Sequence, residues 1–120
     1  MVLLADSTRQ PAGFVHHNIL VLPDGTVIGV LLGHCIFGPD GTVKAKYFRK
    51  TLFSLQGKIL AKNTGTGTHP DVDEKKLIEE AWKIISLIKN HSCPVVEPTG
   101  DWSGVTLAVH FGEVASVFSS

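Results

Sequence analysis

The stretch that decides the fold is Leu20-Val21-Leu22-Pro23-Asp24-Gly25-Thr26-Val27-Ile28-Gly29, because its pattern returns twice further along the chain. The second copy is Ile36-Phe37-Gly38-Pro39-Asp40-Gly41-Thr42-Val43-Lys44-Ala45. The third copy is Leu52-Phe53-Ser54-Leu55-Gln56-Gly57-Lys58-Ile59-Leu60-Ala61. The copies are spaced 16 residues apart within the stretch from Asn18 to Lys62. A fixed period of this kind indicates one small structural unit used repeatedly.

Each copy carries a turn signal between two short apolar runs. Proline presets the φ angle of a turn, aspartate bonds the backbone just ahead, and glycine accepts positive φ. The flanks are rich in the β-branched and aromatic residues typical of strands. The pattern predicts six strands, over residues 14–22, 26–32, 34–38, 42–48, 51–55 and 58–62. Close connections favour an antiparallel meander, and a short β-solenoid with one coil per repeat is the alternative.

A helix is predicted over residues 71–90, opening at Asp71 with Glu74 three residues later, as in a capping box. Its apolar residues form one broad stripe that needs a surface to cover. The small residues Gly29, Ala45 and Ala61 fall in register and predict the sheet face on which this helix packs. Alternation over residues 104–111 predicts a further strand, and residues 113–118 are expected either to complete a hairpin with it or to form a helical end. The fold class is therefore expected to be α+β.

Length and composition bound the function. A chain of 120 residues is expected to form a single domain spanning residues 1–120. Eleven basic and eleven acidic residues cancel, so no net field favours nucleic acid. Four lysines share one strand parity, which we interpret as solubilising rather than nucleic-acid binding: Lys44, Lys46, Lys58 and Lys62. No apolar run is long enough to span a membrane, the first residues lack a basic signal region, and a cytoplasmic protein is expected.

The candidate chemistry rests on two His/Cys pairs, His34-Cys35 and His91-x-Cys93. Neither pair has zinc-site spacing, and adjacent strand residues point to opposite faces, so we expect reduced cysteines, no metal and no cofactor. The enzymatic alternative makes a cysteine the nucleophile, with His34, His91 or His110 as its base and Asp101 as an orienting group. A weaker ligand site is suggested by the loop residues Thr64, Gly65, Thr66, Gly67 and Thr68. The doublet His16-His17 is expected to be structural, with one ring facing each way.

The functional prediction is a non-enzymatic assembly module that works as a homo-oligomer, most simply a dimer. Low charge, 18% of residues, accompanies an apolar content of 43%. In the first repeat Ile28, Val30 and Leu32 make the second sheet face apolar as well, so either the C-terminal strands or a partner subunit must cover it, and a partner subunit is expected. On that basis Val30→Asp should dissociate the dimer. The alternative is a small enzyme or ligand-binding protein with a His/Cys-lined pocket near residues 63–70.

Overall fold

The computed structural model describes residues 2–65, 73–89, 93–107 and 109–113. Eight antiparallel strands, each paired with the next, close into a barrel when β1 pairs with β8. The strands are β1 Val2–Ala5, β2 Pro11–His16, β3 Ile19–Val21, β4 Val27–Leu32, β5 Cys35–Phe37, β6 Val43–Phe48, β7 Thr51–Ser54 and β8 Ile59–Gly65. One α-helix, α1 Glu74–Leu87, and a π-helical turn, Val109–Glu113, follow.

The barrel consists of four hairpins because the 16-residue unit occurs four times, beginning at Leu4 rather than Leu20. One residue at the same place in every hairpin turn has positive φ, namely Arg9 (65°), Gly25 (94°), Gly41 (80°) and Gly57 (86°). Its backbone N–H donates to the carbonyl three residues earlier in all four turns. Each hairpin also carries a register shift at the same place, after Leu4, Leu20, Ile36 and Leu52. Shifts of this kind increase strand twist, which helps a sheet to close.

The barrel interior is filled by pairing a large side chain with a small one. The directly opposed pairs are Leu4 with Gly13, Leu20 with Gly29, Ile36 with Ala45 and Leu52 with Ala61. Opposed residues share one face of the sheet, and an eight-stranded barrel is just wide enough for side chains to fill it. The small residues therefore leave the room that one further element needs.

That element is the C-terminal segment. Leu107 and Phe111 are buried, at 2% and 3% exposure, within the interior cluster. A Cβ added to Gly13 would lie 3.4 Å from Leu107, and one added to Gly29 would lie 3.7 Å from the Phe111 ring. The predicted strand over residues 104–111 is wrong, because these residues pack into the barrel instead of adding to an edge. The possible hairpin to residue 118 lies mostly outside the described residues.

Helix α1 packs on the outside of the barrel, not on the row of small residues. Its buried face comprises Leu77, Ala81 and Ile84, joined just after the helix by Ile88. The barrel residues of that cluster are Phe14, Ile19, Val21, Val30, Cys35 and Phe37. Asp73 caps the helix, and its side chain accepts from the backbone N–H of Lys76. The expectation that α1 crosses Gly29, Ala45 and Ala61 is therefore wrong.

Residues 93–103 cover another part of the outer surface. Val96 and Trp102 pack with Phe53 and Ile59. The backbone of this segment is tied to the barrel, since Ile59 N–H donates to the carbonyl of Asp101 and Ser103 N–H donates to that of Ile59. The outer surface is thus partly apolar because the chain itself covers it.

These observations correct the predicted architecture. The open α+β meander with a helix on one sheet face is wrong, since the sheet closes and the fold is mostly β; the solenoid alternative is wrong for the same reason. The predicted strand over residues 14–22 is two strands, separated by a turn in which His17 and Asn18 have positive φ. The apolar second face of the first repeat needs no partner subunit, because Val30 is buried beneath α1. We therefore expect the substitution Val30→Asp to unfold the protein, not to dissociate a dimer.

Ala45→Leu should destabilise the protein by about 1–3 kcal/mol, because the larger side chain overpacks a filled interior. Ala45 is fully buried, opposite Ile36. The matched control is Ala12→Leu, because Ala12 lines a cavity of about 260 Å³ that can take the added atoms. Urea unfolding midpoints measure both changes, and equal midpoints for the two variants would contradict the interior placement of Ala45.

Acidification should weaken the barrel through its turn carboxylates. Hydrogen bonds from Thr26 lower the pKa of Asp24. Burial opposes the shift at Asp40, but hydrogen bonds from Thr42 and the charge of Lys44 leave its pKa lowered as well. A lowered folded pKa contributes stability above the ordinary value of 3.8, and that stability is lost as pH falls through the folded pKa.

The double variant Asp24→Asn/Asp40→Asn keeps an acceptor oxygen in each turn but cannot titrate. Its urea midpoint should fall less than that of the parent between about pH 5 and about pH 2.5. Some loss remains, because hydrogen bonds from Thr8 and Gln10 also lower the pKa of Asp6. Parallel pH profiles for parent and variant would show that these turns do not govern acid stability.

Candidate functional site

The cysteines form a disulfide between Cys35 of β5 and Cys93, with Cα atoms 5.9 Å apart. The expectation of reduced cysteines is wrong, and with it the hypothesis of a cysteine nucleophile. The bond joins two residues that are 58 positions apart in the sequence, and no local sequence pattern predicts that they pair. It fixes the chain that leaves α1 to the outer wall of the barrel.

The other residues of the predicted His/Cys pocket do not assemble into a described site. His34 is exposed in the β4–β5 turn, and His91 lies outside the described residues. Asp101 is exposed, and its backbone carbonyl accepts a hydrogen bond from the N–H of Ile59. His110 Nε2 donates to the carbonyl of Lys44 at 2.7 Å and so anchors the π-helical turn to β6.

The predicted Thr-Gly loop is only partly described. Thr64 and Gly65 end β8, whereas Thr66, Gly67 and Thr68 lie outside the described residues. The Thr64 hydroxyl donates to the carbonyl of Leu3 at 3.3 Å, and the N–H of Gly65 donates to the Asn63 side chain at 2.6 Å. Thr64 also lines a cavity of about 380 Å³ on the β1–β2 side of the barrel. Its walls are mostly apolar, and Arg9 is the one charged side chain among its lining residues.

A second cavity, of about 260 Å³, lies at the barrel end that carries the bulged turns. Polar side chains reach it from Asp6, Ser7, Ser103 and Thr106. The Asp6 carboxylate already accepts from Thr8 and from the N–H of Gln10. The cavity therefore presents hydroxyl groups beside a carboxylate that is already hydrogen-bonded within its own turn. This arrangement does not resemble a pair of groups for acid–base catalysis.

Two histidines and a glutamate meet beside the start of α1, a group that sequence reasoning missed. His16 ends β2, His17 begins the following turn, and Glu74 is the first residue of α1. Glu74 Oε1 lies 2.9 Å from His16 Nε2 and 4.0 Å from His17 Nε2. Among the described residues, this is the one group of three or more His, Cys, Asp or Glu side chains placed to share a metal ion.

The His16-His17 doublet points its rings to one side, contrary to the expectation of opposite faces. Strand residues alternate, but His17 has φ +50° and has left the strand. The two ring centroids are 4.2 Å apart in an edge-to-face arrangement. The sequence did contain a signal for this turn. His17 occupies the same position of the 16-residue repeat as Gly33 and Arg49, and the chain turns at both of those residues.

Three of the four lysines that share one strand parity are engaged within the chain. Lys44 pairs with Asp40 at 3.5 Å, and Lys46 donates to the carbonyl of Pro94 at 3.3 Å. The Lys62 ammonium lies 5.7 Å from the Trp102 ring centroid. These contacts favour the structural interpretation of the basic residues.

The outward side of α1 carries large apolar side chains. Trp82 is 63% exposed and Ile78 is 45% exposed, one helical turn apart. Ile85 continues the same side of the helix and is half-buried. We call Ile78, Trp82 and Ile85 the outer stripe of α1. Leu87 is also 51% exposed, but the helical spacing places it on the opposite flank.

Comparisons of the chain with protein-family models, with curated proteins and with solved structures yield no match. Within the part of the chain that the structure describes, no helix is both long enough and apolar enough to cross a membrane.

Removing the disulfide should destabilise the fold by about 2–4 kcal/mol, because the unfolded chain regains the freedom of a long loop. The double variant Cys35→Ala/Cys93→Ala makes the change without leaving a lone thiol. Thiol titration of the unfolded, unreduced parent should find no free cysteine. Two titratable thiols in that parent, together with an unfolding midpoint equal to that of the variant, would contradict the pairing.

Proposed function

We propose that the chain is a non-enzymatic interaction module that pairs with a second copy through the outer stripe of α1. The observation that carries the proposal is the exposure of Trp82 and Ile78 on a helix whose other face is fully used. Single exposed apolar residues are ordinary, but a large indole next to a second large side chain is characteristic of interfaces.

The barrel itself favours association through the helix over association through strands. Each of the eight strands has a neighbour on both sides, so the part of the chain that the structure describes leaves no open strand edge to pair with another chain. The described interior is filled by the chain's own side chains, including Leu107 and Phe111. A partner therefore has to bind on the outer surface.

A second copy fits this stripe better than a charged partner does. The eleven basic and eleven acidic residues cancel, so two copies do not repel each other strongly. The stripe runs along a helix of 14 residues, and two such helices can pack face to face about a twofold axis, the commonest symmetry of homo-oligomers.

The disulfide is informative about the redox state of the compartment in which the protein functions. Disulfides persist in oxidising compartments and are rare in the cytosol. The bond between Cys35 and Cys93 therefore supports an oxidising setting in place of the cytoplasmic one expected from sequence.

Trp82→Glu should convert a dimer into a monomer, because it puts an unpaired charge into the contact. Light scattering at micromolar concentration should give at least twice the chain mass of 12.9 kDa for the parent and the single mass for the variant. The matched control is Leu87→Glu, because Leu87 is an exposed apolar side chain, at 51% against 63% for Trp82, on the opposite flank of α1, and this change should leave the dimer intact. A monomeric parent, or a dimer that survives Trp82→Glu, would refute the proposal.

A further inference from the structure

The turn between β2 and β3 and the start of α1 build a small polar site on the outer surface. His16 is held by β2 with a side-chain exposure of 15%, whereas the side chains of His17 and Glu74 are 65% and 60% exposed. One ring is therefore fixed by the barrel, and two groups are free to adjust around it. Because α1 is packed on the barrel, its first residue is brought to the turn without any local sequence link.

The distances between the three ligand atoms suit a bound ion. Zinc binds histidine nitrogen and carboxylate oxygen at about 2.0–2.2 Å. Two ligands at that distance lie about 3.0–3.6 Å apart for angles between square and tetrahedral. The observed separations from Glu74 Oε1 are 2.9 and 4.0 Å, and all three atoms fall within 4.8 Å of one another. The 4.0 Å separation exceeds that spacing by about 0.4 Å, and a pair at the 4.8 Å limit would have to close by about 1.2 Å, through rotation of the exposed His17 and Glu74 side chains.

We infer that His16, His17 and Glu74 form a binding site for a divalent transition-metal ion. Two imidazole nitrogens and one carboxylate oxygen suit Zn²⁺, Fe²⁺, Ni²⁺ or Cu²⁺, whereas Mg²⁺ and Ca²⁺ prefer oxygen ligands alone. The ion would be held from one side by three protein ligands. Its remaining positions face solvent, where water or a group from another molecule completes the coordination.

Metal binding fixes the tautomer of His16. Glu74 Oε1 and His16 Nε2 are within hydrogen-bond distance, and the carboxylate accepts the Nε2 proton. Coordination uses the lone pair of Nε2, so in the metal-bound site the neutral ring carries its single N–H proton on Nδ1. The ion therefore replaces the hydrogen bond between His16 and Glu74 with two bonds to itself.

The simpler interpretation is that Glu74 only pairs with His16 and anchors the start of α1. That contact needs one histidine, however, and the chain supplies two on the same side. His17 also occupies a left-handed position where the equivalent residues of two other hairpins are Gly33 and Gly65. A non-glycine residue there carries some strain, although Arg49 shows that the fold tolerates it. The simpler interpretation predicts no stoichiometric metal binding.

Calorimetric titration of chelator-treated protein with Zn²⁺ tests the inference. The parent should bind one ion per chain, and His17→Asn should weaken binding at least about tenfold by removing one of three ligands. Asparagine tolerates the left-handed conformation, so this variant should keep its fold. Zn²⁺ should also raise the unfolding temperature of the parent more than that of the variant, because the ion binds only the folded site and binds the variant more weakly.

The matched control is His34→Asn, since His34 is an exposed histidine in the next turn of the repeat. It should bind Zn²⁺ as the parent does. The site is refuted if the parent binds no stoichiometric Zn²⁺, if His17→Asn binds it unchanged, or if both variants lose binding equally. Titrations per chain are made in parallel on Trp82→Glu, so failure of the metal site and failure of the dimer are separate results.

Discussion

The structure depends on the closure of β1 onto β8, because closure turns four equivalent hairpins into one enclosed interior. An open sheet of this sequence would expose the large members of each opposed pair, such as Leu20 and Leu52, on one face. In the closed barrel those side chains meet at the axis, and the small members, such as Gly29 and Ala45, leave room for Leu107 and Phe111. The period of 16 residues thus reflects how the interior is packed. Every hairpin contributes one large and one small opposed side chain at the same position of the repeat.

Part of this could be predicted from the sequence, and the reason is local. Pro-Asp-Gly at two turns identified hairpins there, and the apolar stripe of α1 identified the helix. The first hairpin was missed because its turn is Ser7-Thr8-Arg9, in which an arginine takes the left-handed position held elsewhere by glycine. The turn at His17-Asn18 was missed likewise. Closure left no local signal at all, since the pairing of β1 with β8 joins residues some 60 positions apart.

In the C-terminal segment, one pattern of apolar residues is compatible with both the two-residue period of a strand and the period of a helix. Residues 105, 107, 109 and 111 are all apolar, which predicted a strand with one buried face. Leu107 and Phe111 are four apart, a spacing that a helical turn also places on one side. Because a closed barrel offers no edge to a ninth strand, the helical solution buries these two and leaves Val105 and Val109 exposed at 44% and 38%. The tertiary constraint, not local propensity, decided between the two periods.

The candidate sites lie on what is added to the barrel, and this explains why sequence reasoning placed them poorly. Position in the repeat says which residues face inward, but not where α1 crosses the outer wall. Once α1 is in place, Glu74 at its first residue reaches His16, and the disulfide of Cys93 ties the chain just beyond its last turn to β5. The helix is therefore fastened near both ends, with Trp82 between them. An ion held by Glu74, His16 and His17 would strengthen the weaker of the two attachments, since a single His–Glu pair whose carboxylate is exposed contributes little by itself. The outer stripe and the polar site thus lie on one element, α1, whose first residue is Glu74.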